Sequence, residues 1–173
     1  MVTSVALALI FLSPVALALG LGEEIPSFRV VAGDGTALGK LDLLGNVSVI
    51  FYEDRQSVEI NSSLKYALGN LVESDRDRYG AVRFVQIVDA SSANFLTRTI
   101  WKRMLLKKSR EAGIPVYADW KGSLIGRLGL VRGTSNVLII DRKGVLRYRE
   151  VGPIQSEKLN RFYSILDELT GST

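Results

Sequence analysis

Residues 47–59 read VSVIFYEDRQSVE, and the fold turns on this stretch. Its first half, Val47 to Tyr52, is β-branched and aromatic with no charge inside it, the composition of a central strand buried on both faces. A polar run from Glu53 to Ser57 follows at once. Val58, Ile60 or Asn61, Leu64, Leu68, Leu71 and Val72 then recur near the helical period, which predicts a helix from about Ser57 to Ser74. Asp75 to Gly80 ends it as a solvated helix terminus of alternating charge.

Downstream, Val82 to Val88 (VRFVQIV) alternates and predicts a second strand. Asp89, Ser91 and Ser92 offer short oxygen side chains that satisfy the free amides of a helix start. Phe95, Leu96, Ile100, Met104 and Leu105 give an apolar stripe through about Ala112, and Gly113 stops that helix where a left-handed residue is wanted. Residues 114–117 (IPVY) form a short strand, and Gly122 to Leu128 a short helix. Asn136 to Ile140 (NVLII) is another buried strand. The turn Asp141 to Gly144 leads into a strand over Val145 to Glu150. Gln155 to Leu169 is the closing helix, with Leu159, Phe162, Ile165, Leu166 and Leu169 inward. Upstream, Phe28 to Val31 and Leu38 to Leu44 flank the turn Gly33–Thr36 and make a short hairpin. Strands that alternate with helices imply parallel βαβ pairings, and the late hairpin adds antiparallel strands. The class is α/β, one domain over residues 24–170.

Of 173 residues, 47% are hydrophobic and 23% charged, an ordinary globular balance that excludes wholesale disorder and a multi-span membrane protein. Cysteine and histidine are both absent. That excludes disulfides, thiolate nucleophiles, zinc–thiolate and iron–sulfur centres, imidazole bases and histidine-ligated metals. The net charge of +4 is mild and does not by itself argue for nucleic acid. Residues 1–22 carry no charged side chain, and residues 5–12 (VALALIFL) are an apolar run. Ala16 and Ala18 give the small-x-small pattern of a cleavage site, so residues 1–18 read as a signal peptide, or as an uncleaved N-terminal anchor. The expected location is periplasmic or secreted, with membrane anchoring as the alternative.

This order of elements resembles the thioredoxin-like superfamily, in particular its peroxiredoxin and TlpA-type branch, over about residues 24–170. Three stretches carry the resemblance: the hairpin sequence FRVVAGDGTALGKLDLLG starting at Phe28, the strand and polar helix start after Val49, and residues 115–144 (PVYADWKGSLIGRLGLVRGTSNVLIIDRKG). It implies a three-layer sandwich: a central mixed sheet with an N-terminal hairpin and helices on both faces. It also places Gln56 and Glu59 where the family carries its two cysteines, and Ser135 where it usually has a cis-proline. Neither an amide nor a carboxylate can form a mixed disulfide or serve as a peroxidatic sulfur, so dithiol exchange and thiol peroxidation are chemically excluded. The string Asp54 to Glu59 (DRQSVE) also looks like the corresponding stretch of the YtfJ-like exported proteins, cysteine-poor members of this superfamily.

The resemblance implies that the start of the first long helix lies beside the loop preceding the late hairpin. Arg55, Gln56, Ser57 and Glu59 would then face Arg132, Thr134, Ser135 and Asn136. Free amides at a helix start attract anions, and arginines, hydroxyls and amides add donors, so these eight residues form the candidate binding site for a small polar or anionic group or a peptide. The expected function is a non-catalytic binding or interaction module whose partner is a protein or peptide of the cell envelope, with no nucleic acid, cofactor or metal. The alternative is an accessory subunit, or a non-thiol enzyme using Glu53, Asp54 or Glu59 as acid or base. A basic helix spanning Lys102 to Arg110 and the leader are the two features that could reach a membrane.

Overall fold

A computed structural model describes residues 19–171 of the chain. The signal-peptide reading, on residues 1–18, lies outside the described residues. Seven strands form one sheet: β1 (Arg29–Ala32), β2 (Ala37–Gly39), β3 (Val47–Glu53), β4 (Val82–Asp89), β5 (Val116–Asp119), β6 (Asn136–Ile140) and β7 (Leu146–Val151). Their order across the sheet is β2-β1-β5-β4-β3-β6-β7. Parallel pairing joins β3 to β4 and β4 to β5, as the two βαβ units require, while β6 and β7 are antiparallel to their neighbours. The N-terminal hairpin β1–β2 closes the far edge by pairing antiparallel to β5.

The expected layers are present. Because side chains alternate across a strand, Val47, Val49 and Phe51 of β3 face one layer, made with α1 (Ser62–Ser74) and α5 (Glu157–Gly171). Ile50 and Tyr52 face the other, made with α4 (Ser123–Leu128). The first layer centres on Phe162, whose ring meets Tyr148 edge-on at 5.5 Å and 85°. Helix α3 (Arg98–Ala112) lies over β5, with Leu105 against Val116 and Ala118. Gly113 stops it with φ +68, the left-handed conformation expected there.

Three local expectations are corrected. The first long helix begins at Ser62, not Ser57. The Asp54 carboxylate explains the delay: it accepts the amides of Gln56 and Ser57 and the Ser57 hydroxyl at 2.8–2.9 Å, a local turn that competes with helix. The Asp75–Gly80 terminus is a separate short helix, α2 (Arg76–Tyr79), started by the Asp75 carboxylate accepting the Arg78 amide. Its Tyr79 is buried and donates to Asp167 of α5, which a solvated end would not do. Finally, of the stripe Phe95, Leu96, Ile100, Met104 and Leu105, only Leu105 is buried. Residues 94–97 form a turn ahead of α3, so Phe95 and Leu96 never join the helix face that packs on the sheet.

Candidate functional site

The C-terminal ends of β3, β4 and β5 meet two loops, residues 54–61 after β3 and residues 131–135 before β6. The two loops lie side by side: the Gly133 amide donates to the Asp54 carboxylate. Burial raises the Asp54 pKa, but hydrogen bonds from Ser57, Gln56 and Gly133 outweigh it and hold the group below its ordinary value. The segment holding Gln56 and Glu59 is therefore a turn braced from within, ahead of the helix.

Beneath this turn lies a closed polar network. Glu53 is 3% exposed. Its Oε2 receives the Lys65 ammonium at 2.6 Å, and its Oε1 accepts the Ser135 hydroxyl at 2.7 Å. Lys65 also donates to the Val58 carbonyl at 2.7 Å and stands 5.4 Å from the centre of the Phe51 ring. Asn61 ties three segments together: its amide nitrogen donates to Ser135 Oγ at 2.9 Å and to the Gly152 carbonyl at 3.0 Å, while its oxygen accepts the Ile154 amide at 2.9 Å. Burial pushes the Glu53 carboxyl above its ordinary value, and Lys65 and Ser135 oppose that rise without cancelling it. Ser135 is fully buried, and no peptide among the described residues is cis.

The eight candidate residues separate into two sets. Ser57, Ser135 and Asn136 are buried and spend their hydrogen bonds inward. Asn136 shapes the second loop, exchanging bonds with both the amide and the carbonyl of Val131 at 2.8 Å. Arg55, Gln56, Glu59 and Arg132 are exposed and Thr134 is half-buried. Arg132 bonds Asp89 Oδ2 and Ser91 Oγ, both at 2.9 Å. Asp89 lies opposite Asp119 in the β4–β5 register, and the Tyr52 hydroxyl donates to Asp119 at 3.4 Å. Burial, and the nearby Asp119 and Asp89 charges, push the Tyr52 phenol far above its ordinary value.

Sequence reasoning did not find Asn61 or Lys65. The partners of Asn61 lie far along the chain, at Ser135 and Gly152, and Lys65 meets Glu53 only because the chain turns back between β3 and α1. It also did not find a groove of about 360 Å³ between the 54–58 turn and α3. Val58, Val88, Trp101, Met104, Leu105 and Val116 give it apolar walls, and Gln86 sets an amide in its floor. Arg55, Lys107 and Lys108 bring positive charge to its edge, where Glu111 pairs with the two lysines at 3.7 and 3.2 Å. Among the described residues no cluster of three or more acidic side chains could hold a metal ion, and no helix is long and apolar enough to cross a membrane.

No family model matches the chain, and no curated protein matches it. Solved structures do. A crystal structure from Chlorobium tepidum bearing the name thiol:disulfide interchange protein DsbE superposes with a TM-score of 0.63 at 18% identity, covering 86% of this chain and 99% of that one. BsSco, of the Sco family of cytochrome c oxidase assembly proteins, gives 0.65 at 10% identity, covering 88% and 96%. The exposed lipoprotein thioredoxin Etrx1 of Streptococcus pneumoniae gives 0.55 at 20% identity, covering 83% and 100%. The fold is thioredoxin-like, on a chain that contains no cysteine.

Proposed function

We propose that this protein is an exported, redox-inactive binding module that holds a segment of a partner polypeptide across the surface left where a thiol site would stand. The observation that carries this reading is the contrast between two neighbouring features. The Glu53–Lys65–Ser135–Asn61 network closes the interior of the site, while the groove beside it stays open and apolar. A preformed apolar cleft with few polar groups at its edge is the usual form of a binding site. Arg55 lines the groove, Gln56 and Glu59 are exposed on the loop that carries it and Thr134 is half-buried on the neighbouring one, while Ser57, Ser135, Asn136 and the Asp89-bound Arg132 hold these loops. The positive edge at Arg55, Lys107 and Lys108 favours a segment with apolar anchors flanked by carboxylates.

The enzymatic alternative needs a free carboxylate. Both oxygens of Glu53 are engaged, the Asp54 carboxylate is taken up by Ser57, Gln56 and Gly133, and Glu59 is exposed to solvent rather than set in the groove wall. Export rests on the leader sequence and finds company in the exposed lipoprotein among the structural neighbours.

The test is site-specific photo-crosslinking in intact cells. A benzoyl-phenylalanine placed at Gln56 or Val58 should capture one and the same envelope protein, and Arg55→Ala should weaken that capture. A probe at Lys143, in the exposed turn between β6 and β7, should not capture it. Capture of the same set of proteins from Lys143 as from Gln56, or capture unchanged by Arg55→Ala, would refute the reading.

A further inference from the structure

Most of the net charge of this protein sits on one helix. Residues 98–112 hold six basic side chains and one acidic, a local charge of +5 against +4 for the whole chain, so the rest of the molecule carries −1. Glu111 is the single acid and is already shared between Lys107 and Lys108. Arg98 stacks on the Trp120 ring at 4.8 Å. Lys102, Arg103 and Arg110 have no acidic partner among the described residues.

The same helix presents an apolar tip to solvent: Phe95 is 92% exposed, Leu96 80% and Ile100 60%. The tip is held by structure. The Asn94 amide donates to Thr97 Oγ1 and the Thr97 amide donates to Asn94 Oδ1, both at 3.0 Å, which fixes the turn carrying Phe95 and Leu96 ahead of α3. On α3, Ile100, Arg103 and Lys107 lie on the side away from buried Leu105, at the spacing of one outer helix face. An outward apolar tip followed by outward basic residues is the pattern of a helix that lies in a lipid interface.

We propose that the 94–97 turn and α3 dock this protein on an anionic bilayer surface, with Phe95, Leu96 and Ile100 entering the headgroup–acyl boundary and Lys102, Arg103, Lys107 and Arg110 against the lipid phosphates. Charge complementarity selects this occupant. The net positive charge lies on the helix that follows the tip, and a bilayer receives a projecting apolar tip and a spread of cations without needing a matching pocket. This docking shares Lys107 with the edge of the groove but uses none of the groove's apolar walls, and it does not rest on the groove reading above.

Because the chain has no cysteine, Thr99→Cys provides a unique attachment point for a nitroxide label beside the tip. With vesicles of phosphatidylcholine containing phosphatidylglycerol, the label should gain access to oxygen and lose access to a water-soluble nickel chelate. With phosphatidylcholine alone it should do neither. Phe95→Ser with Leu96→Ser should lower partitioning about tenfold, and Lys102→Gln with Arg103→Gln roughly 30-fold at low salt. All of these are surface changes, and circular dichroism checks that the variants fold. Sedimentation with vesicles while the label stays in water would assign binding to another segment and overturn the proposal. So would a label response that is equal on neutral vesicles, or absent on both.

Discussion

Replacing Lys65 by methionine tests the closed network directly. Lys65 supplies the cation for a carboxylate that is only 3% exposed, at 2.6 Å. Methionine keeps much of the side-chain length over Phe51 and removes the charge. Glu53 is then left with one hydrogen bond, from Ser135. Removing one partner of a buried ion pair costs about 3–5 kcal/mol, and the lower end applies here because Lys65 retains some contact with solvent. For a domain of this size about 3 kcal/mol corresponds to a fall in Tm of roughly 6–12 °C.

The pH dependence gives a sharper signature. Burial already raises the Glu53 pKa above 4.5, so the stability it contributes is complete below that ordinary value and is lost as pH rises through the folded value. Lys65 is the largest influence opposing the rise, so its removal moves the folded value further up. The Lys65→Met deficit should therefore be large at pH 8 and shrink as the pH falls and Glu53 takes up a proton. Urea unfolding followed by tryptophan fluorescence at several pH values reads this. Glu53→Gln added to Lys65→Met should recover about 2 kcal/mol at pH 8. A Lys65→Met variant within about 0.5 kcal/mol of the parent across that range would refute a buried, paired Glu53.

Other substitutions probe the same framework. Asn61→Ala removes hydrogen bonds to Ser135, Gly152 and Ile154; it should cost about 2–4 kcal/mol in urea unfolding and hasten hydrogen exchange at Ile154. Gly33→Ala would bring a methyl to 2.9 Å from the Leu106 amide nitrogen and the Lys102 carbonyl, so α3 must shift from β1; a loss of about 1–3 kcal/mol is expected, and an unchanged melting curve would contradict the close approach. Insulin reduction should stay at the buffer rate with any amount of this protein, since the chain has no sulfur nucleophile.

The strands and their partners were legible where composition alone decides them. β3 and β6 are mainly apolar, with Val49 to Tyr52 and Val137 to Ile140 unbroken, and both are buried along their length. Gly113 and the turn before β7 were legible because their chemistry is local. The helix start after β3 was not, because a periodic apolar pattern cannot show that Asp54 will take the amides of Gln56 and Ser57. The stripe from Phe95 to Leu105 misled for a related reason: spacing marks a face but not what covers it, and here solvent meets all but Leu105. The candidate site was legible in outline, as two adjoining loops. Its interior was not, because the contacts of Asn61 and Glu53 reach across 74 to 91 residues in two cases and 82 in a third.

Such a web makes thiol chemistry difficult to install. A cysteine at position 56 would sit on a turn several residues before Ser62, without the helix-end amides that lower a thiol's pKa. A second at position 59 would still face a loop anchored through Ser135 and Asn61. Replacing the exposed Gln56 and Glu59 by cysteine would break none of the bonds in that web, yet the frame around them would leave the new thiols without activation.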